Sequence, residues 1–252
     1  MTTKYFRLLF LLKTMLLLGI SSSYGADIQG IWLTKNGESL VKIAPCSQGI
    51  CGQLIWLQED ASSGRTTKDK KNKDWDLRKR PLVGLNLLSF VKPQAAGKWS
   101  GRIYNPGDGN KYSAKLALSE GGKALKVSGC ALAGLVCKEQ IWYRIAENTK
   151  SGIDGNWYLG NGKVMAKVNQ CGNALCAKAV WTKQGEPSHI MGMDLLQNMQ
   201  KTKKGWKGKA IHPYEQKAYS STITQLNANM VELEACLGGL VCQSLFWHRA
   251  AR

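Results

Sequence analysis

An internal repeat constrains this chain more than any other feature of its sequence. Cys46-Ser-Gln-Gly-Ile-Cys51-Gly-Gln-Leu-Ile-Trp56 returns as Cys171-Gly-Asn-Ala-Leu-Cys176-Ala-Lys-Ala-Val-Trp181, an offset of 125, and Gly30-Ile-Trp32 returns as Gly155-Asn-Trp157 at the same offset. Further on, Gly84 matches Gly192 at 108, and Trp99-Ser-Gly101 matches Trp206-Lys-Gly208 at 107. Tyr112 falls on Tyr219, Cys130 on Cys236, and Trp142-Tyr-Arg144 on Trp247-His-Arg249. Spacing kept over this length marks one unit used twice, and each copy is long enough for its own core. The fall from 125 to 108 places about 17 extra residues between Trp56 and Gly84 of copy one. The expected division is copy one over 26–146, a polar linker over 147–154, and a shortened copy two over 155–252.

The N-terminus carries Lys4, Arg7 and Lys13, then an apolar run from Met15 to Ile20 and the small-residue stretch Ser21 to Gly25. This is the pattern of a secretory signal peptide over 1–25. The apolar run falls short of the roughly 20 residues that a membrane span needs, so no transmembrane span is expected in the mature chain. Eight cysteines, four per copy, then read as disulfides in a periplasmic or secreted protein. Local pairing is simplest: Cys46–Cys51, Cys130–Cys137, Cys171–Cys176 and Cys236–Cys242. Spacing leaves the crossed pairing within a copy open. The mature chain keeps 32 basic residues against 17 acidic, a net charge of +15. In an exported protein such a charge points to anionic envelope components rather than to nucleic acid.

Apolar residues mostly alternate within copy one, with glycine, proline and asparagine between the runs, which predicts strands. Eight are expected: 28–33, 39–44, 52–57, 84–90, 99–104, 112–118, 125–130 and 138–144. The fourth could instead be a short helix. Successive short-turn strands predict an all-β fold of two tandem antiparallel up-and-down barrels, with a two-sheet sandwich as the alternative. The pattern Gly30-x-Trp32 with Arg144, repeated as Gly155-x-Trp157 with Arg249, resembles that of lipocalin-like barrels. That resemblance implies an arginine on the last strand packed across the tryptophan of the first, closing one end of each barrel.

Copy one carries, in order, Gly30-x-Trp32, Ile43-x-x-Cys46, Cys51-Gly52-x-Leu54-x-Trp56 and Asp69-x-x-Asn72-x-Asp74-x-x-x-Arg78-x-Arg80-Pro81-Leu82-x-Gly84. The set continues through Trp99-x-Gly101-x-Ile103-Tyr104-Asn105-Pro106-x-Asp108-Gly109-x-x-Tyr112, Gly129-Cys130 and Gln140-x-Trp142-x-Arg144. In this ordered set copy one resembles domain-of-unknown-function family 2147, a secreted bacterial family. Copy two is a diverged version without the Asp-x-x-Asn-x-Asp loop. The family implies fold and compartment and assigns no activity.

Two polar stretches remain. The loop from Arg65 to Arg80 holds eight cations with Asp69, Asp74 and Asp76 among them. Its aspartates are expected to pair with Arg78 and Arg80 and hold the loop over a barrel mouth. Asp69, Asn72, Asp74, Arg78 and Arg80, with Tyr104 and Tyr112, form the candidate ligand-binding set, since long loops on rigid barrels often carry function. In copy two, Lys201, Lys203, Lys204, Lys207 and Lys209 surround Trp206 as a candidate basic patch for phosphate-bearing partners. No catalytic motif occurs, and His189, His212 and His248 have no match in copy one. No metal and no cofactor are implied. The leading expectation is a non-catalytic binding protein taking a small apolar or amphiphilic ligand in a barrel mouth. The alternatives are a basic interaction or inhibitor protein docking on an anionic polymer, lipid head groups or an acidic protein, and an enzyme.

Overall fold

The computed structural model describes residues 27–147 and 152–251. The signal peptide expected over 1–25 and the middle of the expected linker therefore lie outside the described residues. The first unit comprises β1 (Gly30–Leu33), β2 (Ser39–Cys46), β3 (Gly49–Leu57), the short helix α1 (Gln58–Ser63) and β4 (Asn86–Ala95). It continues with β5 (Lys98–Asn105), β6 (Asn110–Ser119), β7 (Ala124–Ala131) and β8 (Val136–Ile145). The second comprises β9 (Gly155–Tyr158), β10 (Val164–Cys171), β11 (Ala174–Thr182), β12 (Asp194–Thr202), β13 (Gly205–Ile211), β14 (Ala218–Asn227), β15 (Met230–Leu237) and β16 (Val241–Arg249). Each set of eight closes into an antiparallel barrel, β1 pairing β8 and β9 pairing β16, so no sheet edge is left open. The fourth segment is a strand throughout, and it starts at Asn86 rather than Gly84 and runs on to Ala95. The six-residue α1 is too short to show a helical period in the sequence.

Alternation explains what fills each barrel. On β6, Ala114 and Leu116 point inward and are buried, while Ser113 and Lys115, which alternate with them, face water. The first core gathers Trp32, Val41, Ile43, Leu54, Leu88, Leu116, Leu125 and Trp142. The second gathers Trp157, Val164, Val168, Leu175, Leu195, Met199, Ile223, Val231 and Trp247. Four disulfides staple the turns: Cys46–Cys51, Cys130–Cys137, Cys171–Cys176 and Cys236–Cys242.

The barrels pack side by side about a pseudo-two-fold axis. Trp56 of the first meets His248 of the second edge-on at 4.9 Å, and the matching Trp181 meets Tyr143, the counterpart of His248, at 5.2 Å. Backbone hydrogen bonds obey the same symmetry: Ala146 N donates to the Arg249 carbonyl, and Ala251 N to that of Arg144. At the far ends the β1–β2 and β9–β10 turns touch so closely that a β-carbon on Gly37 would lie 1.5 Å from the Gly160 carbonyl oxygen. Like ends of the two barrels therefore face the same side of the molecule.

Candidate functional site

One end of each barrel is closed by the same device. The register sets Trp32 beside Arg144 and Trp157 beside Arg249. The guanidinium carbons stand 4.2 Å and 4.1 Å from the indole centroids, a cation–π contact. Arg144 donates to the carbonyls of Gly122, Gln29 and Asp27, and Arg249 to those of Ala228, Asp154 and Gly152. Gly30 and Gly155 lie at φ 135° and 139°, and a β-carbon on either would sit 2.7 Å from the arginine nitrogen. The Gly-x-Trp pattern thus follows from the arginine it must admit. With this end plugged, any opening lies at the other, here called the mouth.

The mouth of the first barrel is covered by the charged loop. Asp69 is fully buried and accepts hydrogen bonds from Tyr104 Oη (2.5 Å), Asn72 Nδ2 (2.7 Å) and Arg80 Nη2 (2.9 Å). Burial alone pushes its carboxyl up, but the bonds from Tyr104, Asn72 and Arg80 outweigh this and hold it below the ordinary aspartate range. Burial, then the Asp69 carboxylate, pushes Tyr104 up to about 12. Asn72 also donates to Tyr104 Oη, and Arg78 Nε donates to the Asn72 carbonyl while stacking 4.4 Å from the Trp75 ring. Four of the sequence candidates, Asp69, Asn72, Arg80 and Tyr104, therefore form one network, with Arg78 at its edge.

The remaining two stand elsewhere. Asp74, expected to pair with an arginine, instead accepts the Asp76 amide in a tight turn. Tyr112 donates to Asp108 across the β5–β6 turn, and copy two keeps this clamp as Tyr219 to Glu215.

The second mouth is open. It lacks the charged loop, and aligned residues shrink: Ile103-Tyr104 of copy one become Ala210-Ile211. The result is a cavity of about 140 Å³ lined by Leu159, Leu195, Ala210, Ile211, Leu233, Leu245 and Trp247. Asn161, His212, Tyr214 and Tyr219 supply polar atoms there. Tyr214 donates to Glu186 Oε2 at 2.8 Å and accepts from Asn161, and Lys163 pairs with Glu186 at 3.2 Å, so three mouth loops are tied together. Burial, then Glu186, raises Tyr214 to about 12, which keeps it a hydrogen-bond donor at neutral pH. None of these cavity residues was a candidate from sequence. The readable signal was the Tyr104-to-Ile211 exchange combined with the missing loop.

The family model for an uncharacterized protein conserved in bacteria, DUF2147, matches residues 30–144 and again 155–249. This chain belongs to that family. It carries two DUF2147 units in tandem. None of the curated proteins is similar to it. Among solved structures, protein HP1028 from the human pathogen Helicobacter pylori, described as belonging to the lipocalin family, is 24% identical over 48% of this chain and 85% of its own, at a TM-score of 0.43.

Outside the mouths, the second DUF2147 unit carries its lysine cluster on the β12–β13 hairpin, at the plugged end. Lys201 Nζ lies 6.0 Å from the Trp206 ring, and Trp206 itself packs partly into the core. His189 and His212 are engaged with mouth-loop backbone, at the Pro213 carbonyl and the Glu215 amide. Glu234 lies near Cys236 and Cys242, but both sulfurs are consumed in a disulfide, leaving a single carboxylate. Among the described residues no helix is long and apolar enough to cross a membrane.

Proposed function

We propose that this chain is an exported bacterial binding protein whose second barrel takes a small apolar or amphiphilic molecule in its mouth. The observation that carries this reading is the apolar cavity at the one mouth that no lid covers. Its size is close to that of a roughly 150 Å³ apolar cavity able to hold benzene, and below the several hundred Å³ usual for drug-sized ligands. The fitting occupant is a single ring or the end of an alkyl chain, with any polar head meeting Asn161, His212 or Tyr214 at the rim. Four disulfides support action outside the cytoplasm, in the periplasm or beyond.

The test is a titration with indole and with hexanoate, followed by amide and methyl NMR shifts. Saturable shifts are expected at Leu195, Leu233 and Trp247, and they should vanish in Ala210→Ile, which restores the bulk found in copy one. Shifts that do not saturate, or that survive Ala210→Ile in a folded protein, would contradict the proposal.

A further inference from the structure

The turn β7–β8 reads Leu132-Ala-Gly-Leu-Val136 and the turn β15–β16 reads Leu237-Gly-Gly-Leu-Val241, each directly enclosed by its disulfide. These turns hold the barest aliphatic side chains described: Leu135 is 85% exposed and Leu240 91%. Isolated surface leucines need no explanation, whereas matched clusters of three on two rigid tips do. The tips cannot fold back to hide them, because each is stapled by a disulfide and by a turn hydrogen bond, Leu135 N to Leu132 O and Leu240 N to Leu237 O. In copy one, Leu132 and Ala133 even adopt left-handed backbone, φ 48° and 54°, to make the turn. The mouths have otherwise diverged in lid and lining, yet both tips kept the same aliphatic residues.

Both tips lie at the mouth end of their barrels, and the two mouths face one side. The lid occupies that same side, bringing seven of its eight cations between Arg65 and Arg80, Arg80 being paired with Asp69, and the exposed indole of Trp75, 70% accessible beneath Arg78. Aliphatic tips, an aromatic residue and a cation-rich loop match the chemistry of a bilayer surface, in which alkyl groups enter the acyl region, indoles sit at head-group depth and cations meet phosphates. The tips project from separate barrels, a shape that enters a deformable lipid surface more readily than it buries area on a rigid protein.

We infer that the mouth side of this molecule docks on a membrane surface bearing anionic lipid, with Leu132, Leu135, Leu237 and Leu240 inserted. This does not depend on the ligand reading: the cavity-filling Ala210→Ile variant is expected to bind vesicles like the parent.

The experiment is sedimentation of the mature full chain with phosphatidylcholine vesicles, with and without phosphatidylglycerol. Binding is expected to require the anionic lipid, weaken with salt, and drop roughly tenfold or more in Leu135→Ser/Leu240→Ser. A control pair at the plugged end, Lys207→Ser/Lys209→Ser, should leave binding within about twofold. All variants are first checked for an unchanged thermal transition. Absence of vesicle binding by the parent chain would overturn the proposal. So would binding insensitive to the leucine pair, or binding abolished only by the lysine pair. Retention on an acidic polymer without any vesicle binding would assign the face to a polymer and likewise overturn it.

Discussion

Asp69 anchors the loop that lies over the first mouth. Its carboxylate is buried under three donors, and Arg80, partly exposed, supplies the opposing charge at 2.9 Å. Asp69→Asn removes the charge while keeping the shape, leaving Arg80 and Tyr104 poorly matched. We expect a loss of about 2 kcal/mol in urea unfolding, below the usual cost of breaking a fully buried pair because Arg80 reaches solvent. Faster trypsin cleavage between Arg65 and Arg80 should accompany it. The pH dependence follows from the lowered pKa of Asp69. The folded state favours the ionised form, so the stabilisation is present above the ordinary aspartate pKa of 3.8 and is lost as pH falls below it. Arg249 plays the corresponding part at the plugged end. Arg249→Met keeps apolar cover over Trp157 but abandons three carbonyls, and should cost about 2 to 3 kcal/mol by the same assay.

At the level of strands and turns, much was readable in advance. Alternation such as Tyr112, Ala114, Leu116 and Leu118 fixed which face of β6 is inward, and repeated Gly-x-Trp with a terminal arginine located the plug. Local cysteine pairing was the simplest option because each pair brackets a turn. Removing one staple, by Cys130→Ser/Cys137→Ser, should lower stability by about 2 kcal/mol in the chain-entropy model, measured by denaturant unfolding under oxidising conditions. The open mouth was not readable in this way. The pairing expected of the loop 65–80 holds for Asp69 and Arg80, which Tyr104 and Asn72 join, whereas Asp74 turns to the Asp76 amide instead. The cavity arises from smaller apolar residues, Ala210 and Ile211, which carry no motif. Helix α1 was missed because six residues leave no period to detect.

For the molecule as a whole, duplication has produced an internal pseudo-dimer, and its interface contains a second difference between the copies that matters for pH. Where copy one has Tyr143, copy two has His248, wholly buried beside Trp56, with no hydrogen-bond partner for either ring nitrogen among the described residues. Burial pushes this imidazole down to about 4 from its ordinary 6.5. The unfolded chain therefore binds the proton more readily than the folded one, so stability is complete above 6.5 and falls progressively as pH drops toward 4. The loss at the acid end is about 3 kcal/mol. Thermal unfolding between these limits should show the decline, and His248→Phe should flatten it.

Across the whole molecule, two copies of one barrel have diverged into a lidded unit and an open one. Diffraction from crystals pressurised with xenon tests it directly, since xenon enters apolar cavities of this size. A xenon peak is expected between Leu195, Leu233 and Trp247 in the second barrel, with none of comparable occupancy beneath Tyr104 in the first. Equal peaks in both barrels, or a peak in the first alone, would contradict it.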